Sequence, residues 1–454
     1  MLFKDRAKEA FNVEIIGSAQ LDSWINECVN IYQGNPCWLD EDDHIDTVNF
    51  AKSVCSETAR LTTLGIGIHV DGSARAEWLQ SQIERIYYQL RHWVEYGCAC
   101  GTIILKPNGD SVDLYPRDRF DVTHISNGEI DGIIFYDQER RGKKWYTKME
   151  YHRFENKQYL ISNRCFVGRS ENDCGRRIDI SQTPWEGLAE DTALVNVEKT
   201  LFGVLRTPHA NNIDLNSPFG LPIYSEAIQE LRDLDIAYSR NTKEIRDSKR
   251  TVLLDADRML PDKERLKTAE ALGHSVMPDY IKLVDGDSSV ESDIYHEINP
   301  QLNTDTRLKG INSLLSQIGY KVGFSNGYFV FNESSGIQTA TEVEADQQRT
   351  VQFIKDVRDK LENCLSGLIY ALNVFADLYD MAPVGAYEIV YDFSDITYSF
   401  EEERAHHYQL AVQGHYPWEE YYVRFLGYSR DDARKLIAMA KQEQKTPSLF
   451  GGEE

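Results

Sequence analysis

The residues with the most chemical promise in this 454-residue chain are few, and each pattern breaks off before it makes a site. Cys98-Ala99-Cys100 sets two thiols one residue closer than a zinc knuckle needs, and no second pair follows at a usable spacing. Asp40-Glu41-Asp42-Asp43-His44 imitates a hard-cation cluster, but an acidic run of this kind reads as a solvated loop. Asp285-Gly286-Asp287 opens like a calcium loop; Val290 then stands where the turn Gly belongs and His296 where the bidentate Glu belongs. Gly65-Ile66-Gly67 lacks the third Gly and the following helix of a dinucleotide fingerprint and fits a strand edge. His406-His407 has no Cys near it and fits the surface of a charged helix. There is no P-loop, no Gly-x-Ser-x-Gly and no His-Glu-x-x-His. The expectation is a chain with no catalytic residues, no metal and no cofactor; an acidic hydrolase working through carboxylates is the enzymatic alternative.

Charge narrows the classes further. Asp and Glu number 73 against 49 Lys and Arg, a net charge of -24, which opposes a phosphate-gripping surface of the repressor kind. An acidic wall can still guide a duplex that it does not hold. With 41% hydrophobic and 27% charged residues the composition is that of a soluble protein of two or more domains. The first residues, Met1 to Glu9, contain no apolar run, so the expectation is a chain without a secretory signal whose eight Cys are reduced thiols.

The elements that would position any function are organised around residues 325 to 380. Ser325 to Gly336 is rich in Gly, Ser and Asn yet carries Tyr328, Phe329 and Phe331, aromatics that need something to contact. Thr339-Ala340-Thr341-Glu342 has the spacing of a capping box. Val343, Gln347, Val351, Ile354, Val357, Leu361, Leu365, Leu368, Leu372, Phe375 and Tyr379 then recur at three- and four-residue steps. That predicts one helix of about 40 residues, roughly 60 Å long at 1.5 Å per residue. Its charges, among them Arg349, Lys355 and Asp359, exclude a membrane span.

Upstream, helical periods cover Phe11 to Tyr32, Asn49 to Leu64 and Trp78 to Tyr96. The period changes to two from Gly101, predicting an antiparallel meander of roughly 100 residues that includes Val112 to Tyr115, Ile130 to Tyr136, Trp145 to Phe154 and Gln158 to Asn163. Helices over Tyr224 to Lys249 and Asp305 to Val322 flank a compact insert, Thr251 to Asn303, with 11 Asp and Glu against 5 Lys and Arg. The insert reads as strand, helix (Pro261 to Leu272) and strand, and its flanking helices are expected to form an antiparallel pair holding it at their tip. After Pro383 come a strand, Tyr387 to Phe393, and helices over 401–413, 418–426 and 431–443.

Several segments in this order resemble the portal proteins of tailed double-stranded-DNA bacteriophages, of the type found in phages and prophages of Gram-positive bacteria. They are His92-Trp93-Val94-Glu95-Tyr96-Gly97-Cys98-Ala99-Cys100-Gly101 before the meander, Phe219-Gly220-Leu221-Pro222-Ile223-Tyr224 running to Leu234-Asp235, Thr339-Ala340-Thr341-Glu342-Val343, and Tyr391-Asp392-Phe393-Ser394-Asp395. The resemblance covers nearly the whole chain and implies an α+β portal fold. In it residues 1–222 form a wing of helices and meander, 223–250 and 304–324 a two-helix stem, and 251–303 a small α/β clip. Residues 325–338 form a tunnel loop, 339–400 a long wing helix with its returning strand, and 401–454 a crown. It further implies a non-enzymatic head-to-tail connector, a ring of about a dozen copies at one capsid vertex of the virion, assembled in the host cytoplasm, through which DNA is packaged and ejected. The implied partners are the terminase large subunit, a head-completion or adaptor protein, and the major capsid and scaffolding proteins, with no membrane. By the same resemblance Asn326, Tyr328, Phe329, Phe331 and Asn332 face DNA, and Asp255, Asp257, Asp285 and Asp287 meet the clip's partners. The tunnel loop has no Lys or Arg, so basic channel bands fall to Arg240, Lys243, Lys249, Arg250, Lys309 and Lys321. An adaptor ring that never touches DNA is the non-enzymatic alternative.

Overall fold

The computed structural model describes the chain except residues 1–2, 40–44, 110, 156–157, 249–250, 256–280, 285–294, 299–302, 332–339, 394–399, 427, 429 and 444–454. Helix and sheet are both abundant and largely segregated, so the chain is α+β. Four helices lead the chain: α1 (Lys4–Phe11), α2 (Ala19–Tyr32), α3 (Phe50–Thr62) and α4 (Ala74–Cys100). The Ser18 hydroxyl accepts from the Leu21 amide at 3.1 Å and starts α2. The periodicity shows α3, α4, which runs beyond Tyr96, and α2, which starts only at Ala19 and not at Phe11, because Ile16 bridges to Val122 of the sheet instead. It does not show α1, whose short charged sequence carries a weak signal.

The meander departs from expectation in one respect. β4 (Phe120–Ser126), β5 (Glu129–Arg141), β6 (Lys144–Glu155), β7 (Gln158–Gly168) and β8 (Arg176–Ile178) follow one another in a single sheet, with β9 (Asp191–Leu194) also paired to β7. β2 (Thr102–Asn108) and β3 (Ser111–Tyr115) leave it and form a second sheet with β10 (Gly203–Arg206), in the order β10-β2-β3. Ile103 pairs with Leu205 there, a contact across a hundred residues that no local pattern encodes. The meander is buried on both faces. Along β5, Ile133 and Phe135 join the core shared with α2, while Ile134 and Tyr136 turn to α1, as a period of two requires.

After β10 the chain enters α5 (Ile228–Asp247), the strands β11 (Thr251–Asp255), β12 (Ile281–Val284) and β13 (Tyr295–Ile298), and α6 (Thr304–Val322). α5 and α6 are antiparallel: Lys321, near the end of α6, pairs with Glu230 near the start of α5 at 2.6 Å, and Arg307 pairs with Glu244 at the other end. Between them β11 runs parallel to β12 and antiparallel to β13, so the hairpin carries a small mixed sheet at its tip. The helix expected over Pro261 to Leu272 lies outside the described residues.

The long helix is α7 (Ala340–Leu378), 39 residues in one piece. Ile354, Val357, Leu361, Leu365, Leu368 and Leu372 are buried in the largest core, which also takes in α3, α4, α6, β1 (Gly67–Asp71) and β10. Close contact with β10 is set by glycine: a Cβ on Gly203 would fall 2.1 Å from the Cys364 carbonyl oxygen. Two arginines tie α7 to its neighbours, Arg75 at its C-terminal end and Arg358 within its buried stretch. Arg75 is 1% exposed and donates to the carbonyls of Asn373, Ala382 and Pro383 at 2.7–2.9 Å and to Asp377 at 2.6 Å, capping the helix end with a guanidinium. Arg358 reaches back to the Leu61 and Thr62 carbonyls, the last of α3, at 2.9 and 3.2 Å. The strand expected after Pro383 is β14 (Glu388–Asp392), and it pairs antiparallel with β1.

Three short helices follow, α8 (Phe400–Val412), α9 (Trp418–Leu426) and α10 (Arg430–Glu443). Tyr408, Trp418, Tyr421 and Phe425 pack ring to ring between the first two. His407 joins them against Phe425, half-buried where the sequence suggested a surface residue. Arg430 bonds His69 Nδ1 at 2.7 Å and so fastens the group to β1. Among the described residues no helix is long and apolar enough to cross a membrane.

Candidate functional site: the loop between the hairpin and the long helix

The loop that follows α6 is stitched to its neighbours. At its base Ser325 and Thr350 exchange three hydrogen bonds of 2.8–3.3 Å, joining the loop to α7. Ser316, one turn beyond Asn312 on α6, bonds Asn326 and accepts from the Gly327 amide at 3.2 Å. Asn312 bonds both the amide and the carbonyl of Phe331, at 3.2 and 3.0 Å. Turns from Tyr328 to Ser325 and from Val330 to Gly327 fold the segment in between.

This geometry corrects the expected set of outward residues. Tyr328 turns inward, and its hydroxyl bonds Glu57 on α3. Burial and the Glu57 carboxylate push the Tyr328 phenol upward, so it stays protonated as the donor. Arg60, held on Glu57 at 2.7 Å, keeps that carboxylate below its usual range despite partial burial. Phe329 stacks edge-on against Phe50 and Phe324 at 5.3 and 4.8 Å between centroids. A half-buried aromatic gains more from packing than from facing water, and α3 supplies the packing. Asn326 is exposed and Phe331 is 58% exposed, leaving these two side chains directed to solvent. Asn332 lies outside the described residues.

The basic candidates also divide. Lys321 is committed to Glu230 and to the Glu226 carbonyl at 2.9 Å, so it staples the hairpin and does not form a free band. Arg240, Lys243 and Lys309 are exposed on the hairpin helices. Lys249, Arg250, Asp257, Asp285 and Asp287 lie outside the described residues, and Asp255 closes β11 of the tip sheet.

Two groups of residues were not singled out from sequence. Asn312, Ser316 and Thr350 hold the loop; the first two are spaced i,i+4 on α6, a signal of one shared polar face. The second is a charge cluster buried inside the meander. Glu150 receives Lys106 from β2 at 2.7 Å, Lys148 at 2.9 Å and His152 at 2.6 Å. Lys148 also meets Asp137 at 3.1 Å, and the Tyr115 hydroxyl donates to Asp137 at 2.8 Å. His152 bonds Tyr159, whose hydroxyl accepts the Leu201 amide at 3.2 Å. Burial alone would raise the Glu150 carboxyl; Lys106, Lys148 and His152 overcome it and hold the group well below the usual carboxylate range. Burial pushes the His152 imidazole down, with Glu150 opposing. Lys106 reaches from the small sheet to the meander, so the cluster joins two sheets and serves architecture. Among the described residues no group of three or more His, Cys, Asp or Glu could hold a metal ion.

The two segments that flank the sheet junction meet face to face. The Ile223 amide donates to the Cys98 carbonyl at 3.0 Å, and the Tyr224 hydroxyl lies 2.8 and 3.2 Å from the Cys28 and Ala99 carbonyls. Gly101, at φ +79°, presses on Gly220 so closely that a Cβ on it would fall 2.3 Å from the Gly220 oxygen. Comparison with protein-family models and with curated proteins gives no match to the chain.

Proposed function

We propose that this chain is the subunit of a ring-shaped conduit for double-stranded DNA, of the portal type found in tailed bacteriophages, and that it is not itself an enzyme. In that reading residues 1–222 with α7 are the wing, α5 and α6 the stem, the tip sheet the clip that docks the terminase large subunit and later a head-completion protein, and α8 to α10 the crown. About a dozen copies would surround the channel at one capsid vertex.

The observation that carries the reading is the hairpin. Among the described residues, those buried on α5 end at Ser239 and those on α6 begin at Ile311. Ile245 on α5 and Leu308 on α6 are exposed beyond these points, Ile245 at 52%, and Tyr238, seven residues before Ile245 on the same face of α5, is exposed just short of them. An apolar stripe on a projecting hairpin suits a partner surface, and a second copy in a closed ring provides one. Ile245→Asp tests this directly. The expected result is a loss of ring mass to subunit mass in native mass determination with the helical circular dichroism of the subunit unchanged, since about half of the side chain already faces solvent. Rings that persist in Ile245→Asp would count against the stem assignment.

A further inference from the structure

We propose that the groove at the root of the loop is a binding site for a nucleic-acid phosphodiester, with Arg349 as its cation. The inference rests on the conduit reading and supplies the positive charge that the loop itself lacks. Gln348, Arg349, Gln352, Phe353 and Asp356 of α7 form one wall, with Pro208, His209 and Gly323 opposite, around about 610 Å³. Positions 349, 352, 353 and 356 recur at i, i+3, i+4 and i+7, which sets them on one side of the helix.

The floor is rigid. Phe353 is buried, and its ring stacks on His209 with centroids 5.6 Å apart and planes 12° from parallel. Gly323, at φ +121°, makes room for that ring: a Cβ there would come within 2.7 Å of it. Burial pushes the His209 imidazole down, so at neutral pH it is an uncharged wall.

The cation is pre-oriented, and no carboxylate among the described residues pairs with it. The Arg349 guanidinium lies 3.9 Å above the Tyr320 ring and donates one N–H to the Tyr320 carbonyl at 2.9 Å. Those are its contacts among the described residues, and neither is with a carboxylate, in a chain where acids outnumber bases 73 to 49. Lys321 and Arg307 on the adjoining helix each have a carboxylate. Asp356 accepts from Gln352 at 2.9 Å and sits two turns further on, roughly 10 Å along the axis, too far to neutralise Arg349. A guanidinium fork matches the paired oxygens of a phosphodiester, the Gln348 amide and the second N–H of the Gln352 amide add donors, and the Phe353 and Pro208 edges suit the sugar.

The test uses assembled rings of wild type, Arg349→Gln and Arg349→Lys with a fluorescent DNA duplex, read by anisotropy between about 50 and 200 mM salt. Arg349→Gln should keep ring mass, weaken binding about tenfold, and flatten the plot of log affinity against log salt by about one unit or more. Arg349→Lys, which keeps charge but loses the flat stack on Tyr320, should fall between. Arg349→Gln rings that bind like wild type would overturn this inference alone. Loss of ring mass in Arg349→Gln would also overturn it, since the arginine would then be serving a carboxylate of the neighbouring copy. A wild-type chain that forms no ring would remove the conduit reading and this inference together.

Discussion

Glu150→Gln should lower the unfolding free energy by about 3–5 kcal/mol, the cost of stripping a buried ion cluster of its central partner. Lys106 and His152 then lose their carboxylate, and Lys148 keeps only Asp137. The same cluster fixes a pH dependence. Glu150 and His152 both have folded pKa values below their ordinary ones of 4.5 and 6.5, so below those values the unfolded chain binds more protons than the folded chain. The stabilisation is fully present above pH 6.5 and is lost as pH falls, first through the histidine and then through the glutamate. Urea midpoints of wild type should therefore drop on acidification, and Glu150→Gln should drop less steeply below pH 4.5. Equal midpoints for the two proteins at pH 7 would show that the cluster does not hold the sheets together.

Gly101→Ala should cost about 2–5 kcal/mol, from a non-glycine residue in left-handed backbone together with overpacking of a backbone contact. Gly101 ends α4 at φ +79°, where its carbonyl accepts the Thr207 amide at 3.0 Å and its α-carbon abuts Gly220. Ala at this place must separate α4 from the 219–224 segment, and with it the entry to the hairpin. A thermal or urea unfolding curve checks it. An unchanged midpoint would mean that the junction yields easily and does not set the hairpin's direction.

Periodicity made most of the elements legible. α7 stands out because its apolar residues keep helical steps over about ten turns with no proline, and the hairpin because two amphipathic runs bracket an acidic insert. The exit of β2 from the meander was hidden, because β10, its partner, lies about a hundred residues on and any apolar strand alternates in the same way. The loop's aromatics announced a contact but not its partner, and the resemblance turned them outward; Tyr328 instead finds Glu57, 271 positions away, and turns inward. The buried cluster was equally silent: Lys106, Lys148, Glu150 and His152 read as ordinary polar strand positions until the sheets are stacked. Arg349 looked like one charge among several on the long helix, and the fold sets it apart by giving it an aromatic ring and a carbonyl as its partners among the described residues.

The most direct test of the conduit reading is the native mass of the purified wild-type chain together with negative-stain images. The expected result is a closed ring of about a dozen copies with a central hole wide enough for a DNA duplex. A monodisperse monomer at every salt and protein concentration tried would contradict it.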